Sequence, residues 1–125
     1  MPSEEKTVIV VEDEQDAAEM FAEMMRVSGY RVLKVFGSTQ AMTTIAKEKP
    51  SAVLLDIMMP DISGLEVLRF MRRDPELIGI PVVIVSAKSL PSDIKAGLDA
   101  GAALYLTKPV GFHDLTNAIQ KVLGA

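Results

Sequence analysis

The sequence predicts a doubly wound α/β domain: a five-stranded parallel sheet alternating with five helices. Two observations carry that expectation. Short apolar runs rich in β-branched residues alternate with stretches of helical periodicity, and the connections between them are only a few residues long. A third supports it: the first candidate strand, TVIVV, lacks a polar face, as strands do when helices cover both sides of a sheet.

In order along the chain, Thr7–Val11 (TVIVV) reads as the first strand. From Asp16 to Ser28 the apolar residues Ala17, Met20, Phe21, Met24 and Val27 recur at three- and four-residue steps, one face of an amphipathic helix. Gly29 follows as its stop. Val32–Phe36 gives a second strand. Ser38 then reads as the cap of a helix carrying Ala41, Met42 and Ile45, which Pro50 closes. Ala52–Asp56 is the third strand, and Leu65, Leu68 and Met71 mark a helix ending before Pro75. Pro81–Val85 (PVVIV) is the fourth strand, with Ile94 and Leu98 on the helix after it. Ala103–Thr107 is the fifth, and Phe112, Leu115, Ile119 and Val122 line a last helix. Residues 1–6 read as a flexible N-terminus and 7–123 as the domain, with no output domain expected after it.

Composition removes several classes of function. A chain of 125 residues with 49% hydrophobic and 24% charged residues buries one ordinary core. It contains no cysteine and one histidine, His113, so neither a disulfide framework nor a zinc site of cysteine or several histidines is available. A net charge of −4 disfavours direct binding of nucleic acid. No apolar run approaches the ~20 residues of a membrane span, and MPSEEK lacks the apolar centre of a signal peptide. A cytoplasmic location is the expectation.

In a parallel sheet of this kind polar chemistry gathers beyond the carboxyl ends of the strands. Those ends carry Glu12 and Asp13 (first), Asp56 (third), Ser86 (fourth) and Lys108 (fifth). Three acids brought together repel one another unless a cation or the lysine ammonium lies between them. Oxygen ligands without histidine or cysteine select Mg²⁺, which keeps waters and shares its shell with phosphate. In such a setting Asp56 is suited to attack phosphorus as a carboxylate nucleophile. Lys108 would neutralise the oxygens of the transferred group, and the Ser86 hydroxyl would donate to one of them.

The motifs Glu12-Asp13, Asp56-Ile57-Met58-Met59-Pro60 with Gly64, Ser86-Ala87, and Gly101-Ala102 followed by Tyr105-Leu106-Thr107-Lys108-Pro109 stand in order, each at its predicted strand end. Nearly the whole chain resembles a response-regulator receiver domain of two-component signalling, with the chemotaxis-regulator-like, flavodoxin-like (βα)5 fold. The resemblance implies the strand order 2-1-3-4-5. It also implies phosphorylation of Asp56 by a phosphohistidine donor (a histidine kinase or phosphotransfer protein), with Mg²⁺ held by Glu12, Asp13, Asp56 and the backbone carbonyl of Met58. Lys108 would contact the phosphate. Ser86 and Tyr105 resemble a switch pair, the hydroxyl moving toward the phosphoryl group as the ring turns inward. Such a domain is a signalling phosphoacceptor rather than a classical enzyme, and it promotes its own phosphorylation and autodephosphorylation. A downstream protein would bind the face made by the Ile94 helix, the Tyr105 strand and the Phe112 helix. Families of this kind often have two aspartates at the first strand end, so Glu12 is expected to reach the metal through water and Asp13 directly.

Other classes fit less well. A flavodoxin-like cofactor module needs a glycine- and hydroxyl-rich phosphate loop after the first strand, where this chain has VEDEQD. A haloacid-dehalogenase-type phosphatase wants an aspartate two residues after its nucleophile, and Met58 stands there. The remaining alternative is a pseudo-receiver that binds partners without phosphorylation. Such a module usually lacks an acid, the lysine or the hydroxyl, and all are present here. Taken singly, each residue has a plainer reading: Asp56 as a turn acid, Glu12 and Asp13 as helix N-terminal acids, Lys108 as a surface charge, Tyr105 as a packed ring. Met20, Met24 and Met25 read as core filler, Met58 and Met59 as cover for the site, His113 as surface, and Glu19 and Glu23 as a solvated face. The Lys108-Pro109 bond is expected to be cis, so that Lys108 turns back toward Asp56.

Overall fold

A computed structural model describes residues 5–124. Residues 1–4 of the expected flexible N-terminus lie outside the described residues. The elements follow the expected alternation: β1 (Thr7–Val11), α1 (Gln15–Val27), β2 (Arg31–Val35), α2 (Ser38–Glu48), β3 (Ala52–Leu55), α3 (Gly64–Arg73), β4 (Val82–Ser86), α4 (Pro91–Asp99), β5 (Leu104–Thr107) and α5 (Phe112–Leu123). All strand pairs are parallel and the order is β2-β1-β3-β4-β5. The reversal of direction at β1 places the switch point of the sheet between β1 and β3.

Successive residues of each central strand feed opposite cores, the period-two alternation of a sheet buried on both faces. Ile9, Val11, Val53, Leu55, Val82 and Ile84 pack against Ala41 and Ile45 of α2 and Val67, Leu68 and Met71 of α3. Val8, Val10, Ala52, Leu54, Val83 and Val85 pack against Phe21 and Met25 of α1 and Leu115, Ala118 and Ile119 of α5. Burial on both sides is why these strands read as continuous apolar runs.

Three local readings change. First, α1 buries Ala18, Phe21, Ala22 and Met25, so the inward face is rotated from the one its spacing suggested. Met25 is core, but Met20 is exposed, and Met20, Met24 and Val27 line a shallow apolar groove with Phe112. The apolar arc of this helix, interrupted only by the side carrying Asp16, Glu19, Glu23 and Arg26, is wider than the face it buries, so periodicity did not fix its phase. Two alanines face the sheet because they let the helix approach closely. Second, Ser38 is the first residue of α2 rather than its cap. Gly37 is the N-cap, and the buried Ser38 hydroxyl donates to the Ile62 carbonyl. Third, Glu19 and Glu23 are exposed but not merely solvated: both accept from Arg26, and Glu19 also pairs with Lys34. The helix stop at Gly29 is as expected, with φ of 98° and the Tyr30 N–H returning to Met25.

Candidate functional site

The sheet ladder continues one residue beyond three strands, and this fixes the backbone of the site. The Glu12 N–H donates to Val35 at the end of β2, the Asp56 N–H to Val11 at the end of β1, and the Lys108 N–H to Ser86 at the end of β4. Residues 52 and 96 positions apart thereby face one another across the carboxyl edge. The Lys108 ammonium bridges the two buried acids, 2.7 Å from Glu12 Oε1 and 3.0 Å from Asp56 Oδ2. The Lys108-Pro109 peptide is cis, as expected.

The remaining carboxylate oxygens are tied to nearby backbone. Glu12 Oε2 accepts the Glu14 N–H at 3.2 Å, and Asp56 Oδ1 accepts the Met58 N–H at 2.9 Å. Glu12 is only 2% exposed and Asp56 6%. Burial pushes the Glu12 carboxyl above the usual glutamate range; the Lys108 hydrogen bond opposes this, and the Asp56 charge adds to it. Burial also works to lower the Lys108 ammonium, but hydrogen bonds and charge from Glu12 and Asp56 outweigh it, and its pKa is raised. The ammonium lies 5.8 Å from the centroid of the Phe21 ring, which covers the site from the α1 side.

Glu12, Asp13 and Asp56 each present an oxygen, and these oxygens lie within 4.8 Å of one another. That donor set is hard and anionic, without nitrogen or sulfur, and so suits Mg²⁺. An open groove of about 500 Å³ runs over the site, lined by Asp13, Ile57, Met58, Met59, Pro60, Ser63 and Lys88. Met58 is half exposed there, a partial cover.

Ser86 is fully buried at the end of β4, and its hydroxyl accepts the Lys88 N–H at 3.2 Å. The Tyr105 hydroxyl donates to the Lys88 carbonyl at 2.8 Å. Both members of the expected switch pair thus hold the same residue of the β4–α4 loop. Tyr105 also packs against Gly97 of α4: a Cβ at Gly97 would stand 2.8 Å from the Tyr105 ring and from Ile84 Cδ1. His113 is exposed, edge-on to Phe112, and apart from the acids.

Sequence reasoning missed Asp61. Its carboxylate accepts the N–H groups of Ser38 and Thr39 at the start of α2. A signal was present: α2 has a glycine cap and no acid in its first turn, so its free N–H groups needed a partner from elsewhere.

Comparison with known proteins agrees with this geometry. The family model for the response regulator receiver domain matches residues 8–120. The phosphate regulon transcriptional regulatory protein PhoB of Pseudomonas aeruginosa is 36% identical over 118 residues, 94% of this chain and 52% of that protein. This chain therefore spans about half the length of that relative. The polar-differentiation response regulator DivK of Brucella anthropi is 30% identical over 119 residues, covering 95% of this chain and 97% of DivK. Among solved structures, the receiver domain of a sensor histidine kinase from Pseudomonas aeruginosa superposes with a TM-score of 0.90 at 27% identity, covering 98% of this chain and all of that one. That domain was crystallised with a magnesium ion coordinated in its active site cleft. The chain belongs to the response regulator receiver domain family.

Proposed function

We propose that this chain is a Mg²⁺-dependent phosphoacceptor: Asp56 takes a phosphoryl group from a phosphohistidine donor, and the resulting change of conformation controls a protein partner. The observation that carries the reading is the pairing of a buried Asp56 with Lys108 inside a cluster of three acids. A buried carboxylate among like charges is costly unless cationic groups offset it, here Lys108 and a site suited to a metal ion.

In the transfer, an oxygen of Asp56 forms a bond to phosphorus as the bond from phosphorus to the donor imidazole nitrogen breaks. The imidazole leaves with the electron pair and takes up a proton. Glu12, Asp13, Asp56 and the Met58 carbonyl would hold Mg²⁺. When bound, the metal offsets charge on the phosphoryl oxygens. Lys108 releases part of its hold on Glu12 to engage the incoming oxygens, and Ser86 exchanges its contact with the Lys88 N–H for a bond donated to the phosphoryl group. Later attack of water on phosphorus returns the carboxylate, an autodephosphorylation. Phosphorylation replaces the single charge of the Asp56 carboxylate with the roughly two of a phosphoryl group, a net gain of about one, and the charge-assisted bond from Ser86 is worth about 1.5–3 kcal/mol, enough to invert a minor and a major conformer. The face that responds is α4 with Ile94, β5 with Tyr105, and the start of α5 near Phe112, where a downstream protein would dock. A cytoplasmic histidine kinase or phosphotransfer protein is the donor this reading implies.

The test is phosphoryl incorporation from acetyl phosphate with and without Mg²⁺, in the parent and in Asp56→Asn. Expected is acid-stable, base-labile label in the parent with Mg²⁺ only, and none in the variant. Equal labelling of Asp56→Asn would overturn the assignment. A parent that takes no label while still binding its partner would favour the pseudo-receiver.

A further inference from the structure

The geometry points to Asp61 as a positioning residue of the phosphoacceptor site, acting by clamping the β3–α3 loop to the N-terminus of α2. This rests on the reading of Asp56 and its neighbours as a metal-dependent phosphoacceptor.

The loop from Ile57 to Ser63 carries the Met58 carbonyl and supports one oxygen of Asp56, through the Met58 N–H. It folds back at once: the Gly64 N–H donates to the Ile57 carbonyl at 3.0 Å, and a Cβ at Gly64 would stand 2.5 Å from the Asp56 carbonyl oxygen. Both ends are therefore fixed close to Asp56. The middle is fixed from outside, by α2. Asp61 Oδ1 accepts the Ser38 N–H at 3.2 Å and Oδ2 the Thr39 N–H at 3.1 Å. These are among the N–H groups that a helix start leaves without partners, and the Gly37 cap supplies no side chain for them. Gly37 also leaves room for the carboxylate, since a Cβ there would stand 3.3 Å from Asp61 Oδ2. One residue on, the buried Ser38 hydroxyl donates to the Ile62 carbonyl. The two N–H bonds, Thr39 first, hold the Asp61 carboxyl below the usual aspartate range, consistent with a working cap.

The anchor leads back to the acids by a second route. α2 begins three residues after Val35, whose carbonyl holds the Glu12 N–H. The same clamp that steadies the Met58 side of the site thus abuts the strand end that steadies Glu12. Removing it leaves the loop middle on the Ser38 hydroxyl and the packing of Met59 against the core. More chains then hold the Met58 carbonyl away from the acids, and apparent metal affinity falls by the inverse of the fraction that stays in place.

The test is titration of the whole chain with Mg²⁺, followed by amide chemical shifts well below the melting temperature. Asp61→Ala is expected to bind Mg²⁺ roughly two- to fivefold more weakly than the parent, and Asp61→Asn, which keeps one accepting oxygen but turns an amide donor toward the second N–H, falls between the two. Asp74→Ala removes a comparable loop cap, the one that accepts the Glu76 N–H, beyond the far end of α3, and should leave affinity unchanged. An Asp61→Ala protein that melts lower yet binds Mg²⁺ like the parent would overturn the proposal. So would an equal loss in Asp74→Ala, which would make the effect one of general stability. A parent that shows no Mg²⁺ binding fails the phosphoacceptor reading itself, and no variant is needed to see it.

Discussion

α3 and α4 are successive crossover helices of nearly equal length, ten and nine residues, yet they are held very differently. α3 buries Gly64, Val67, Leu68 and Met71, and the strand before it, β3, is buried at every position. α4 buries Gly97 alone, with Leu98 and Leu90 largely exposed, and the strand after it, β5, is only partly covered along its length. The difference maps onto the site. Asp56 and its loop stand on the tightly packed half, while the β4–α4 loop, held through Ser86 and Tyr105, belongs to the half with few buried anchors. Charge is kept where the scaffold is stiff, and conformational freedom is left where moving a helix uncovers little apolar surface.

The sharpest way to break this comparison is to truncate matched leucines. Leu68 is fully buried under α3, so Leu68→Ala should cost about 2–5 kcal/mol through lost burial and the cavity it leaves. Leu98 on α4 is 44% exposed, and Leu98→Ala should cost less than about 1 kcal/mol. Urea unfolding of the two variants measures both. Equal losses would mean that α4 is as firmly packed as α3, and the division of labour would fail.

A smaller effect tests the strap between the two halves. Lys108 stands at the end of β5, but its ammonium is tied to Glu12 and Asp56. Its pKa is raised in the folded protein, so the native state holds this proton more tightly than the unfolded chain. The resulting stabilisation is fully present below the ordinary lysine value near 10.5 and is lost as pH rises through the raised folded value. The melting temperature of the parent minus that of Lys108→Ala should therefore stay constant from about pH 8 to 10 and shrink above that. Burial also raises Tyr30 and Tyr105, but both are present in both proteins and cancel in the difference. A gap that widens with pH would show that the lysine is not stabilised by the acids.

Much of this arrangement was legible before any coordinates. Parallel strands buried on both faces leave uninterrupted apolar runs such as AVLL and VVIV, and a polar residue ending such a run marks the carboxyl edge. Asp56, Ser86 and Lys108 were found that way. What sequence could not provide was phase and partnership. The apolar arc of α1 is wider than the face it buries, so its inward face depended on how closely Ala18 and Ala22 let it approach the sheet. Asp61 acts on N–H groups more than twenty positions away, and nothing local to it reveals that α2 lies beside it. Strand ends also shifted by a residue: Phe36 continues one apolar run and Asp56 ends another, but both fall just past the last paired residues, Val35 and Leu55.

The smallest effect concerns a single hydroxyl. Tyr105 donates to the Lys88 carbonyl at 2.8 Å, and its ring covers Gly97 and Ile84. Tyr105→Phe keeps the ring and removes only that bond, so the packing of α4 on β5 should survive. A neutral hydrogen bond of this kind contributes about 0.5–1.5 kcal/mol, and the low end applies where water can reach the abandoned carbonyl. Lys88 is exposed, so global stability should hardly change. The loop should respond more than the whole. Its amides from Ala87 to Leu90 open locally, and losing about 1 kcal/mol there would speed their hydrogen exchange roughly fivefold. The amides of α3 have no share in that contact and should exchange as in the parent. If α3 and the loop accelerate together, the bond supports the fold as a whole and the two halves are not separately held. If neither changes, the Ser86 contact to the Lys88 N–H is sufficient to hold the loop, and the aromatic hydroxyl has no part in restraining it.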